Sequence, residues 1–60
     1  MDGSTIKRIR GNLTQAEFAE LLGVSVRTLQ DWEQDRHAPN RSAVALLKLA
    51  ESGALKKRKR

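Results

Sequence analysis

The sequence predicts an all-α fold, a small bundle of four, or at most five, short helices. Apolar residues recur at helical spacing in separate segments, and each later segment has a capping side chain ahead of it. Glycine or proline punctuates the joints, and the 60 residues contain no repeat and no low-complexity linker. At this length about 60% of the unfolded chain's surface can be buried, so one domain is the limit. That domain is expected over residues 1–55, with 56–60 as a basic tail.

Helix one is expected to start after Ser4, turn Ile6 and Ile9 inward and stop at Gly11 and Asn12; its other residues are largely basic. Helix two opens at Thr14, where Glu17 three residues later completes a capping box, and carries Phe18, Ala19 and Leu22 at helical spacing. Gly23 can take the left-handed conformation that ends a helix, and Val24 can then fold back on the apolar face. Ser25 caps helix three. The β-branched and polar side chains of Val24, Ser25 and Val26 disfavour one continuous rod, so two helices joined by a tight turn are expected. A small residue, Ala19, lets those two backbones approach.

At about 100° per residue, helix three places Ser25, Leu29, Trp32 and Glu33 on one side and Arg27, Gln30, Asp31 and Gln34 on the other, with Val26 at the boundary. Gln34 to Pro39 reads as a loop, because the proline stops helix three from running on. Asn40 or Ser42 caps helix four, which carries Ala43, Leu46, Leu47 and Ala50 as its apolar stripe and ends at Gly53. The expected core is Ile6, Ile9, Leu13, Phe18, Leu22, Val24, Leu29, Trp32, Leu46, Leu47 and Ala50.

Composition narrows the function classes. With no cysteine and a single histidine, disulfide staples, thiolate metal sites and a metal-stabilised fold are not expected, and no cofactor is implied. No apolar run approaches the roughly 20 residues of a membrane span, and the N-terminus lacks a hydrophobic signal segment, so a cytoplasmic location is expected. The net charge of +5 comes from the last five residues, KKRKR; without them seven basic residues face seven acidic ones. Attraction to phosphate must then come from that tail or from local clustering of Lys7, Arg8, Arg10, Arg27, Arg36 and Arg41. The tail itself reads either as a solvated, disordered end or as an arm making non-specific phosphate contacts.

The outer stripe of helix three carries the chemistry. Arg27 can pair with guanine, Gln30 with adenine and Asp31 with a cytosine amine, while Val26 can meet a thymine methyl, so these four are the candidate base readers. Periodicity alone allows the stripe to be only the wet side of an amphipathic helix. Gln15, in the first turn of helix two, can donate to a phosphate beside free backbone N–H groups. Trp32 is expected in the core, and His37 as a solvated loop residue. Leu21 falls on the watery side of helix two, as an isolated exposed leucine or as part of a subunit contact. Nothing arranges a serine, histidine and aspartate for hydrolysis, and an enzyme is not expected.

The run LTQAEFAELLGVSVRTLQDWEQDRHAP resembles the Cro and phage-repressor type of helix-turn-helix domain, the Xre-like family, over roughly residues 6 to 51. The resemblance rests on the threonine and glutamine opening helix two, the alanine and glycine at the turn, and the tryptophan and glutamate late in helix three. Within that family the run SVRTLQDWEQ, followed by a proline and an alanine- and leucine-rich helix, is most similar to HigA-like antitoxins of toxin–antitoxin operons. Two departures stand out: Ile9 to Thr14 is shorter than the usual connection, and Asp35 stands where glycine is common.

The resemblance implies a lambda-repressor-like bundle that inserts helix three, about residues 25–35, into the major groove of double-stranded DNA. It implies phosphate contacts from Gln15, and from Arg36, Asn40 and Arg41 at the loop and the start of helix four; Ser25 and Thr28 join that set as hydroxyl donors. It further implies a transcriptional repressor or autoregulating antitoxin, acting as a homodimer on a palindromic operator, with a toxin as a second protein partner. A protein-interaction module such as the toxin-binding part of an antitoxin is the competing class, and a tail-driven, non-specific nucleic-acid binder is a third.

Overall fold

Among the described residues, four helices form in the order α1 (Gly3–Arg10), α2 (Gln15–Leu22), α3 (Val26–Glu33) and α4 (Arg41–Ser52) in the computed structural model. The structure describes residues 1–53; the boundary expected at residue 55 and the basic tail at 56–60 lie outside the described residues. Each helix gives the centre one fully buried large side chain: Ile6, Phe18, Leu29 and Leu47. Burying such a side chain stabilises by about 1.5–3 kcal/mol, so these four hold the bundle's centre. Ala19, Leu22, Trp32 and Ala43 complete the core, and Ile9, Leu13, Val24, Leu46 and Ala50 pack around it, as helical spacing leads one to expect. Leu21 differs: it is half-buried and packed on the core rather than turned to water.

The turn between α2 and α3 follows its residues closely. The Thr14 hydroxyl accepts from the Glu17 N–H at 3.0 Å and the Glu17 carboxylate accepts from the Thr14 N–H at 3.0 Å, closing the capping box. Gly23 has φ 77° and ψ 28°, the left-handed conformation an L side chain avoids. The Val24 N–H then bonds back to the Ala19 carbonyl at 3.0 Å. Ala19 itself is buried at the crossing, and Ser25 caps α3 by accepting from the Thr28 N–H at 3.1 Å. Although it falls on the inward side by periodicity, Ser25 is exposed, since a cap stands outside the helix it starts.

Helix α1 begins earlier than its sequence suggests. Asp2, rather than Ser4, is its cap, accepting from the Thr5 N–H at 2.9 Å. Gly3 is a poor helix former but a necessary one here. A Cβ at this position would collide with the backbone carbonyl of Glu33, so only glycine lets α1 approach the end of α3 so closely. The Gly3 N–H donates to Asp35 Oδ1 at 2.8 Å, and Asp35 adopts φ 61° to present that carboxylate. Asp35 thereby makes the left-handed turn that glycine would make and also puts an anion on the positive end of α1.

The short link from α1 to α2 is closed by Gly11 at φ 60° and ψ −125°. The Leu13 N–H returns to the Arg10 carbonyl at 3.2 Å, which completes the turn in few residues. Of the two candidate caps for α4, Asn40 does the work, its Oδ1 accepting from the Ala43 N–H at 2.8 Å. Gly53 ends α4 at φ 86°.

Candidate nucleic-acid interface

The site is built on α3, which packs against both α1 and α2 and turns its other side outward. Leu29, Trp32 and Glu33 are buried, so the rotation of the helix is fixed and its remaining face is assigned by default. Arg27 is the freest member, with 79% of its side chain accessible. Val26 is 37% exposed, in the first turn beside it. A guanidinium and a small apolar group therefore stand together at the start of the helix, where base-edge contacts are geometrically possible.

Gln30 and Asp31 are less free than Arg27. The Gln30 Nε2 donates to Gln15 Oε1 at 3.2 Å, and Gln15 Nε2 donates to Glu33 Oε1 at 3.0 Å. Asp31 lies 3.8 Å from both Arg27 Nε and Arg36 Nη1, with only 19% of its side chain accessible. These are ion pairs rather than hydrogen bonds, and the paired cations are exposed, so solvent screens them. Asp31 thus stands between two cations on the outer side of α3.

Among the hydroxyl pair, Ser25 Oγ donates to Thr28 Oγ1 at 2.9 Å. The Ser25 proton is committed by that bond. The Thr28 hydroxyl accepts it and keeps its own proton to give elsewhere. Asn40 uses Oδ1 on the α4 cap, and both it and Arg41 beside it are exposed. Arg36 is 62% accessible. The structure brings Gln15 to Gln30, Ser25 to Thr28, and Arg27 and Arg36 to Asp31. Asn40 and Arg41 lie at the start of α4. His37 is exposed in the loop, and Trp32 is 7% exposed and serves the core.

Sequence reasoning missed what stands behind this face. Glu33 is a buried acid, and Arg10 meets it with Nε at 2.8 Å from Oε2 and Nη2 at 3.3 Å from Oε1. Arg10 Nη1 donates onward to the Leu13 carbonyl at 3.0 Å. A carboxylate on the inward side of α3 signals the need for a cation, because an unpaired buried charge is strongly disfavoured. Helix one offered three bases, and only the packing selects Arg10.

A helix-turn-helix family model matches residues 6–51. The chain is 52% identical over 40 residues to antitoxin HigA-2 of Vibrio cholerae serotype O1, a match covering 67% of this chain and 38% of that protein. No solved structure matches it. The matched span contains the capped α2, the glycine turn, all of α3 and nearly all of α4. The chain therefore belongs to the helix-turn-helix family, in the Cro and phage-repressor type its sequence resembles, a family of DNA-binding regulators and not of enzymes.

Proposed function

We propose that this chain is a sequence-specific DNA-binding regulator, a repressor or an antitoxin that controls its own operon, and that it works by inserting α3 into the major groove. The observation that carries this is the division of α3: a wholly buried side that fixes its rotation, and an opposite side on which Arg27 is 79% accessible beside Val26 and Gln30. In this reading Arg27 meets guanine, Gln30 adenine, Val26 a thymine methyl, and Asp31 a cytosine amine once its cations turn to the DNA. Gln15, Thr28, Arg36, Asn40 and Arg41 hold phosphates, with Ser25 supporting Thr28. One such domain makes few contacts, so the expected assembly is a homodimer on an inverted repeat, its half-sites about one helical turn apart. Its place of work is the cytoplasm.

The antitoxin name of the relative supports a second role, contact with a toxin protein. The chain spans 38% of that relative's length, so the partner's contact can lie in this domain or beyond its counterpart. Co-purification of the chain with the product of an adjacent toxin gene tests it.

Selection of duplexes from a random pool tests the main reading. An inverted repeat should emerge. Arg41→Ala, which removes a phosphate contact alone, should then weaken all duplexes by a similar factor, whereas Arg27→Ala should act on the selected site. A pool that returns no preferred sequence overturns the proposal.

A further inference from the structure

Glu33 ends α3 on its buried side, yet a line of side chains connects it to Gln30 on the outer face. An ionised carboxylate only accepts hydrogen bonds, whereas an amide can turn either an acceptor or a donor toward a neighbour. Glu33 Oε1 takes the Gln15 Nε2 donor at 3.0 Å, so the Gln15 nitrogen is turned to Glu33 and its oxygen to the other side. There the Gln15 oxygen accepts from Gln30 Nε2 at 3.2 Å. The orientation passes on. Gln30 turns its nitrogen to Gln15, leaving Oε1 and one N–H for a ligand. Arg10 keeps the source of this order in place, with two bonds to Glu33 at 2.8 and 3.3 Å and a third to the Leu13 carbonyl at 3.0 Å.

The geometry points to Glu33 as a positioning residue for sequence discrimination: through Gln15 it fixes which way round the Gln30 amide is offered to a base pair. The inference rests on the proposed insertion of α3. An amide with one N–H held by Gln15 offers one acceptor and one donor side by side, which matches the N6 amine and N7 of adenine. Guanine presents two acceptors, O6 and N7, and the Gln30 oxygen opposes one of them. A freed amide could turn its nitrogen to both, so the relay is what makes Gln30 refuse guanine.

The test is Glu33→Gln, a substitution of the same shape whose amide can donate or accept, measured on the selected operator and on duplexes changed only at the base pair Gln30 faces. The wild type should prefer adenine there by about tenfold or more. The variant should show a preference below about threefold at that pair, with the position sensitive to Arg27→Ala unchanged. An equal loss on every duplex with the adenine preference intact overturns the relay and leaves the insertion of α3 standing. No preference at any position in the wild type overturns both. Should the unpaired Arg10 unfold this variant, Arg10→Met with Glu33→Met removes both charges together, and the same relaxation at one base pair is required of it. A readout without DNA completes the test: in the free wild type the side-chain amide protons of Gln15 and Gln30 should exchange with water more slowly than those of exposed Gln34, and lose that protection in the variants. Amides that exchange freely in the wild type overturn the relay.

Discussion

Arg10 and Arg27 each face one acid, and the two pairs are built for opposite ends. Arg10 is 22% accessible and bonds Glu33, itself 2% accessible, at 2.8 Å. Arg27 is 79% accessible and stands 3.8 Å from Asp31. The same guanidinium and carboxylate chemistry joins α1 to α3 in the first case, and in the second leaves a cation free to exchange its acid for another partner. Burial decides which, because a desolvated charge cannot release its partner without a large cost, whereas a hydrated one exchanges partners almost freely.

The largest effect should come from breaking the inner pair. Arg10→Ala leaves Glu33 buried without its cation, and a loss of about 3–5 kcal/mol in unfolding free energy is expected, enough to unfold much of a small domain. Denaturant unfolding measures it, and a loss below about 1 kcal/mol would show the pair to be as weak as a surface one. The outer pair should behave in reverse. Arg27→Ala is expected to change stability by no more than about 0.5 kcal/mol while costing about 1–3 kcal/mol in binding to the selected operator and little on random DNA. Equal losses on both DNAs would reduce Arg27 to a phosphate contact.

Between these in mechanism stands the glycine turn. Gly23→Ala meets no neighbouring atom within 4 Å, so its cost is conformational alone, about 1–2 kcal/mol from forcing a side chain into the left-handed region. Gly23→Asn should lose less, and thermal melting of the two variants separates conformation from packing. The smallest effect concerns Asp2. Hydrogen bonds from the Thr5 side chain and then its backbone N–H hold the carboxyl below its ordinary value of 3.8. A carboxyl lowered in the folded state contributes stability that is complete above the unfolded value and lost as pH falls through the folded one. The α1 cap should therefore weaken only below about pH 4, and Asp2→Asn, which caps without charge, should flatten that part of the stability profile. An unchanged profile would remove Asp2 from the acid response.

Much of the fold was legible because its signals are local. The capping box of Thr14 and Glu17, the left-handed Gly23, the Ser25 cap and the Gly53 stop each act within a few residues of chain, and all appear where the sequence places them. The apolar stripes gave the core for the same reason, since helical spacing decides which side chains share a face. What escaped was set by contacts across the bundle. Gly3 and Asp35 are 32 residues apart, Arg10 and Glu33 are 23 apart, and no local rule joins them. The start of α1 was misjudged because its local cap, Asp2, was passed over; only the glycine at position 3 has its reason at the end of α3. Leu21 was misjudged because its burial comes from packing on the assembled core and not from its place on α2 alone.

The candidate site divides along the same line. Periodicity assigned Arg27, Gln30 and Asp31 to one side of α3 with Val26 at its boundary, and the buried Leu29 and Trp32 opposite them agree with that side being outward. Treating the four as equals went too far. Only packing distinguishes an accessible Arg27 from a Gln30 held by Gln15 and an Asp31 set between two cations.

By itself the sequence determined where α2 and α3 are capped, where the chain turns, and which residues seek the interior, because caps, glycine conformations and apolar spacing act at short range. Only the tertiary structure decided which charges are locked and which remain available. That choice depends on how much water each one keeps once α1 and α2 have closed on α3, and water is excluded by the whole assembly rather than by any segment of it.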